Sequence, residues 1–253
     1  MNFITGVIDI IKNYHTSLLL GIRTTLIVAL LGTIFGLVIG LFVGGVRAIK
    51  LDFNASKLKT GLKKALDTIL GIYIGLFRGT PMMVQAAFIY YALLNVFHWT
   101  PLVAAIFVIS INTGAYMSEI VRAGIQAVDP GQKEAARSLG MSNMETMFYV
   151  IIPQAIKNVF PAIGNEFIVN IKDSSVLMII SITELMFQSK SIAGSTFKFT
   201  ETYFIEAMIY LILTSITSII LNIIEKKLNK TKVSLPFSDS DPSSMNYIRK
   251  EAN

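Results

Sequence analysis

The feature that most limits how this chain can fold is a long apolar run near its amino terminus. Residues 18–46 contain a single charged side chain, Arg23, close to the start of the run. A helix needs about 20 mostly apolar residues to cross the hydrocarbon core of a bilayer, and an arginine near a helix end can extend to the headgroups. The run therefore predicts a membrane-spanning helix.

Four later stretches are also apolar enough to cross a bilayer: residues 69–97, 102–120, 160–182 and 203–224. The second span is interrupted by Arg78-Gly79-Thr80-Pro81, which predicts a kinked or broken helix because proline lacks a backbone N–H. The composition agrees with a membrane protein, since 53% of residues are hydrophobic and only 15% are charged. The sequence predicts an all-α membrane protein with five transmembrane helices.

The lysines and arginines predict how the chain is oriented. They are concentrated in residues 47–67 and 121–158 and again from Lys226 onward. Basic loops stay in the cytoplasm, so the amino terminus is expected outside and the carboxyl terminus inside. The same distribution accounts for the net charge of +6 without a nucleic-acid partner.

The chain divides into three predicted regions. Residues 1–16 have apolar side chains at helical spacing and predict an extracytoplasmic interfacial helix, which is too short to span. The first long apolar run has no cleavage site after it, so we expect an uncleaved anchor. Residues 17–228 form the transmembrane domain, with an inner loop at 123–158 and an outer loop at 183–202. The polar tail, residues 229–253, predicts disorder.

Glycines recur every four residues in the first span, at Gly32, Gly36, Gly40 and Gly44. This spacing places them on one helix face, and small residues let helices pack closely in lipid. We expect another helix to lie on this face, although a lipid-facing stripe is the alternative.

The inner loop carries the signals of a helical hairpin. Asp129 is a suitable N-cap with Gln132 completing a capping box, and Gly140 occupies the place of a left-handed residue after the helix. Ser142 and Glu145 form a second capping box, and the helix that follows is expected to stop or kink near Pro153. The small face of Ala135, Ala136 and Ser138 favours docking into a partner's groove, with a simple connector as the alternative.

The hairpin also resembles a known motif. Glu134-Ala135-Ala136, then Gly140, then Val150-Ile151-Ile152-Pro153 is similar to the EAA loop of ABC-importer permeases. Val150 and Ile152 replace that family's usual isoleucine and leucine. The stretches 77–81, 112–125 and 164–175 resemble the polar amino-acid uptake subfamily, which carries substrates such as His, Glu, Gln, Arg and opines.

The resemblance implies an importer permease (MetI-like) fold with a cytoplasmic coupling helix, in a bacterial cell (plasma) membrane. It implies ATP-binding cassette subunits, an extracytoplasmic solute-binding protein, a second permease copy or sister permease, and a polar amino-acid substrate. The residues to which it assigns ATPase coupling are Glu134, Ala135, Ala136, Arg137 and Gly140. The chain lacks a G-x-x-x-x-G-K-[ST] phosphate loop, so ATP and Mg are expected on the partner, with no cofactor on this chain and no enzyme activity of its own.

Polar residues inside the fourth span predict the substrate pathway. Glu166, Asn170 and Asp173 share one helix face, with Ser174 beside it, and ionisable groups at membrane depth usually face a cavity. We expect the acids to attract a substrate ammonium and Asn170 and Ser174 to bind its polar groups. Alternatively, Asp173 neutralises Lys172 and Glu166 lies near the cytoplasmic surface.

Three further residues are candidates for binding a substrate carboxylate: Arg78, Asn112 and Gly114. Arg78 could equally be an anchor at the cytoplasmic side.

Other classes of function fit the sequence less well. A self-contained channel or secondary transporter would not need a docking hairpin. An intramembrane enzyme would need a catalytic set that the sequence does not offer. The two histidines, His15 and His98, are far apart, and the chain has no cysteine, so we expect no metal site. The sequence leaves open which amino acid is carried and whether two identical permeases pair.

Overall fold

The computed structural model describes residues 2–49 and 56–229, and all regular structure in those residues is helical. The elements are α1 (Phe3–Ala48), α2 (Lys57–Gly79), α3 (Met82–Phe97), α4 (Pro101–Gln126), α5 (Pro130–Ser138), α6 (Asn143–Glu145), a π-helical segment (Thr146–Ile151), α7 (Ile152–Asp173), a 3-10 segment (Ser174–Ile180), α8 (Leu185–Thr196) and α9 (Phe199–Asn229).

The five predicted spans are confirmed. Four continuous helical stretches are long and apolar enough to cross a membrane: Phe3–Ala48, Pro101–Gln126, Asn143–Ile180 and Phe199–Leu228. The fifth is the pair α2 and α3, which are bent by 113° relative to each other. The bend falls at Thr80 and Pro81, where the sequence predicts a broken helix.

The glycine stripe of α1 packs against α4, as predicted. A methyl group added at Gly32, Gly36 or Gly40 would collide with Ile109, Thr113 or Met117 respectively. Because both series advance by four residues in the same sense, α1 and α4 run parallel. The glycines let the two backbones approach closely, and in lipid this close packing takes the place of a hydrophobic driving force.

Two apolar clusters join α1 to further helices. One lies between α1, α3, α4 and the 3-10 segment and includes Val28, Ala86, Val108, Leu177 and Ile180. The other joins the first turns of α1 to α8 and α9 through Ile10, Leu18, Leu185, Ile192 and Ile205.

The predicted separate helix at residues 1–16 is wrong as an element, because α1 continues without interruption from Phe3 to Ala48. Residues 14–17 contain no glycine or proline that would end a helix. The first turns also carry tertiary contacts, since Lys198 Nζ lies 2.5 Å from Asp9 Oδ2. Of the predicted tail at residues 229–253, only Asn229 falls within the described residues.

The predicted outer loop at residues 183–202 is not irregular, because it contains the helix α8 (Leu185–Thr196) and the first turn of α9. Its position outside the membrane stays a prediction. The carboxylate of Glu184 caps this helix by accepting hydrogen bonds from the N–H groups of Met186 (2.8 Å) and Phe187 (2.7 Å). Tyr210 on α9 donates its hydroxyl to the same carboxylate at 3.2 Å. Because three donors hold this buried carboxylate in place, Glu184 fixes the start of α8. The mixed polarity of the sequence in this segment does not indicate a helix.

Candidate functional site

The inner loop folds into a hairpin whose first helix, α5, begins at a capped turn. The Asp129 carboxylate accepts a hydrogen bond from the Gly131 N–H at 2.7 Å, and Pro130 occupies the first helical turn. The predicted reciprocal bond from Gln132 is absent among the described residues. Instead, Gln132 accepts a hydrogen bond from the Gln154 side chain at 3.3 Å, which ties α5 to the start of α7.

The turn that closes the hairpin forms as predicted. Gly140 has φ +85°, the left-handed region that favours glycine. The Gly140 N–H donates to the Arg137 carbonyl at 3.0 Å and the Met141 N–H donates to the Ala136 carbonyl at 3.1 Å. These two bonds form a Schellman motif, which satisfies carbonyls that the end of a helix leaves free.

The second capping box is confirmed. Glu145 Oε2 accepts from the Ser142 N–H at 2.8 Å, and Ser142 Oγ accepts from the Glu145 N–H at 3.2 Å. Each side chain satisfies a backbone donor of the other residue. The hairpin therefore has defined ends at both of its helices.

The predicted stop or kink near Pro153 takes the form of a change in helical winding. Residues Thr146–Ile151 are π-helical, and the chain then continues as α7 through Pro153 to Asp173. Proline lacks the N–H that an α-helix would donate, and a π turn is one way to accommodate that gap. As a result, the second helix of the hairpin and the fourth span form one continuous helical rod.

The predicted coupling residues divide according to their exposure. Glu134, Ala135 and Arg137 are exposed, and Arg137 bonds the Asn143 side chain across the turn. Ala136, by contrast, is buried where α5 lies against the π segment. Ala136 therefore supports the hairpin from inside and is not part of a docking face, which corrects the prediction for this residue.

The hairpin also exposes apolar side chains that the sequence analysis did not single out. Leu139 is 84% exposed and Tyr149 is 75% exposed, and Met144 and Phe148 are exposed beside them. Large exposed apolar side chains on a polar hairpin usually mark an interaction surface. The available signal was that large apolar side chains lie near the caps, with Leu139 just before Gly140 and Met144 two residues after Ser142. We call Leu139, Met144, Phe148 and Tyr149 the hairpin patch.

Within the membrane domain, Asn170 lies in the interior and its amide joins three helices. Its Nδ2 donates to Thr33 Oγ1 on α1 at 2.8 Å, and its Oδ1 accepts from Thr113 Oγ1 on α4 at 3.0 Å. Ser174 is also fully buried and donates to the Ile171 carbonyl at 2.9 Å. Their hydrogen bonds are used within the protein, so the structure does not support the predicted substrate contacts for these two residues.

Asn112 stabilises the break between α2 and α3. Pro81 cannot donate to the Phe77 carbonyl, and Gln85 Nε2 (2.9 Å) and Asn112 Nδ2 (3.3 Å) donate to it instead. Asn112 also donates to Gln85 Oε1 at 2.8 Å. These bonds satisfy a carbonyl that would otherwise be free at membrane depth.

Gly114 has a steric role next to this break. A Cβ there would lie 2.7 Å from Ile39 Cγ2 and 2.9 Å from the Tyr73 hydroxyl. Gly114 and Asn112 thus hold α1, α2 and α4 together, so neither predicted carboxylate contact is supported.

The charged pathway candidates differ from these packing residues. Glu166 and Asp173 on α7 are half-buried, and Arg78 at the end of α2 is exposed. The Arg78 guanidinium lies over the Tyr116 ring at 5.3 Å from its centroid. Within residues 2–49 and 56–229, none of the three forms a salt bridge. Their prediction as pathway residues therefore stays open.

Comparisons with known proteins agree with this geometry. The chain is similar to the glutamine transport system permease protein GlnP of Escherichia coli (strain K12), with 37% identity over 211 residues that cover 82% of this chain and 91% of that protein. It is also 33% identical to the arginine transport system permease protein ArtQ of Bacillus subtilis (strain 168), over 82% of this chain and 90% of that protein.

Solved structures show the same fold. The crystal structure of an amino acid ABC transporter with histidines matches with a TM-score of 0.76 and 37% identity, over 90% of this chain and 99% of that chain. An inward-facing MetNI methionine ABC transporter matches with a TM-score of 0.70 over 83% of this chain and 95% of that chain, at 19% identity. Residues 55–230 match the family model described as "Binding-protein-dependent transport system inner membrane component". With its bent second span, its capped hairpin and these relatives, the chain belongs to the family of inner-membrane components of binding-protein-dependent transport systems.

Proposed function

We propose that this chain is the permease subunit of an ATP-driven importer of polar amino acids in a bacterial cell membrane. Relatives named for glutamine and arginine transport support this substrate class. In the proposed assembly, two permeases pair, a binding protein delivers substrate on the outer side, and separate ATP-binding cassette subunits hold ATP and Mg on the inner side.

The observation that carries the proposal is the continuity between the hairpin and the fourth span. The chain is helical from Asn143 to Ile180, so three residues of the hairpin patch and the pathway acids Glu166 and Asp173 lie on one rod. The three patch residues are Met144, Phe148 and Tyr149. Asn170 then bonds this rod to α1 and α4. Movement of an ATPase against the hairpin would therefore be passed directly to the membrane helices.

The charges around the pathway fit a zwitterionic substrate. Glu166 and Asp173 would attract its ammonium group, and Arg78 would attract its carboxylate. None of the three is held in a salt bridge within the described residues, so a substrate would not have to displace an internal partner. The packing residues Asn112, Asn170 and Ser174 would keep the helices in position around these charges.

The hairpin patch provides the test. Replacing Leu139 and Tyr149 with alanine should abolish co-purification of the ATPase and ATP-driven uptake in vesicles, while the permease still folds because both side chains are exposed. Phe197→Ala is a matched control, since Phe197 is 81% exposed at the opposite end of the bundle, and it should keep the ATPase bound. Normal ATPase binding and uptake in the double variant would overturn the proposed coupling surface.

A further inference from the structure

The first three turns of α2 stand clear of the rest of the protein and leave an apolar face uncovered. Leu58 is 82% exposed and Leu62 is 70% exposed, and Leu66 and Ile69 continue the same face. Positions 58, 62, 66 and 69 recur at intervals of four and three, which places them on one side of a helix. This bare apolar stripe requires a covering.

Four lysines share these turns with the stripe. At about 100° per residue, Lys59 and Lys63 fall beside the stripe, and Lys57 and Lys64 fall on the opposite, polar face. Lys63 pairs with Asp67 at 2.5 Å, whereas Lys57, Lys59 and Lys64 have no ion pair within the described residues. A helix with an apolar face and a lysine-rich polar face can bury its leucines while the ammonium groups reach out to water and phosphate.

The stripe continues along the part of α2 that lies within the bundle. Ile72 and Leu76 extend it and are also exposed. The neighbouring side of α2 faces α4, because the Tyr73 hydroxyl donates to the Ile111 carbonyl at 2.6 Å and Ile74 is buried. The exposed stripe therefore runs without a break from the lysine-rich turns to a membrane-embedded surface, which indicates that lipid covers both.

We propose that residues 57–68 lie in the membrane interface as an amphipathic anchor that binds anionic lipid headgroups. The leucines enter the boundary of the acyl chains, Lys59 reaches the phosphates from beside the stripe, and Lys57 and Lys64 add positive charge on the polar face next to the headgroups. Basic residues next to a membrane are attracted to anionic lipid by about 1 kcal/mol each. The inference is independent of the transported solute and of the ATPase, because it concerns the lipid that surrounds the permease.

The absence of cysteine makes the position of this segment measurable. Spin labels are attached to Leu58→Cys, Leu62→Cys and Thr60→Cys in the reconstituted full chain, and the vesicles contain phosphatidylcholine with phosphatidylglycerol. Labels at 58 and 62 should be accessible to oxygen and protected from a water-soluble nickel complex, and the label at 60 should show the reverse. Equal nickel access at all three positions would overturn the proposal, as would protection of 58 and 62 from both reagents, which would indicate a protein partner or a second copy.

The role of headgroup charge is tested with lysine variants. Adding phosphatidylglycerol to phosphatidylcholine vesicles should increase the depth of the label at position 62, and Lys59→Gln with Lys64→Gln should remove most of that shift. Lys12→Gln with Lys190→Gln removes the same number of exposed charges elsewhere and should leave the shift intact. A shift of equal size in both double variants, or none in the parent chain, would refute binding of anionic lipid by this segment.

Discussion

Asn170 and Glu166 lie one turn apart on α7, yet their surroundings differ. The Asn170 amide bonds to Thr33 and Thr113 in the interior, whereas Glu166 is half-buried and forms no salt bridge within residues 2–49 and 56–229. A buried amide with two partners stabilises helix packing. A charge at membrane depth without a fixed partner is costly, which favours a role in transport.

This difference predicts that a substitution of Glu166 lowers uptake, whereas a substitution of Asn170 lowers stability. Glu166→Gln removes a charge but keeps the shape, so uptake should fall about tenfold or more, because a charge-assisted hydrogen bond contributes about 1.5–3 kcal/mol. Asn170→Ala should lower the stability of the chain by about 1 kcal/mol, the scale of a hydrogen bond between membrane helices. Thermal unfolding in detergent and ATP-driven uptake in vesicles measure the two effects.

Asn165→Ala serves as the control for Asn170→Ala, because Asn165 is an exposed amide on the same helix and should leave stability unchanged. Normal uptake by the Glu166→Gln variant would remove this acid from the pathway. Equal losses of stability in the two asparagine variants would show that the bonds to Thr33 and Thr113 are not what holds α7.

At the scale of elements, the contact between α1 and α4 depends on glycine. A Cβ at Gly40 would overlap Met117, whereas a Cβ at Gly45 meets nothing within 4 Å. Gly40→Ala should therefore destabilise the chain by about 1–3 kcal/mol, the usual cost of overpacking a tight site. Gly45→Ala should be neutral or slightly stabilising, because alanine favours the helix more than glycine does. Thermal unfolding of both variants measures this difference in stability. Equal midpoint temperatures would show that α1 and α4 can move apart without a loss of stability.

The elements that could be predicted from sequence are those with a local signal. The turn at Gly140, which has a positive φ, depends only on neighbouring residues, and so does the capping box of Ser142 and Glu145. The local sequence pattern was therefore sufficient to predict both. The helix α8 depends on Glu184, whose hydrogen bond from Tyr210 comes from a distant part of the chain. A single sequence does not report that kind of contact.

The same limit applies to the candidate site. Polarity at membrane depth identified Asn112 and Asn170 as important, but it did not reveal that their partners are Gln85, Thr33 and Thr113. Ala136 likewise has the small side chain of a docking residue, and only the packing of α5 against the π segment shows that it is buried. Composition predicts which residues matter, while tertiary packing decides what they contact.

At the scale of the whole molecule, the number and direction of the spans predict on which side of the membrane the hairpin and α8 lie. The parallel contact of α1 and α4 requires their ends to point the same way, and Arg47 at the end of α1 bonds Glu119 near the end of α4. The hairpin that follows α4 is therefore on the same side as the end of α1, and α8 is on the other side, after the fourth span. The basic residues favour the cytoplasm for the hairpin side.

Single cysteines in this cysteine-free chain test that orientation. Ser191→Cys on α8 and Lys133→Cys on α5 both replace exposed side chains on helices. A membrane-impermeant maleimide added to intact cells should label position 191 at once and position 133 only after the membrane is permeabilised. Labelling of both positions in intact cells would contradict a bundle with an odd number of crossings between them. Labelling of position 133 alone would reverse the topology and place the hairpin where no cytoplasmic ATPase could reach it.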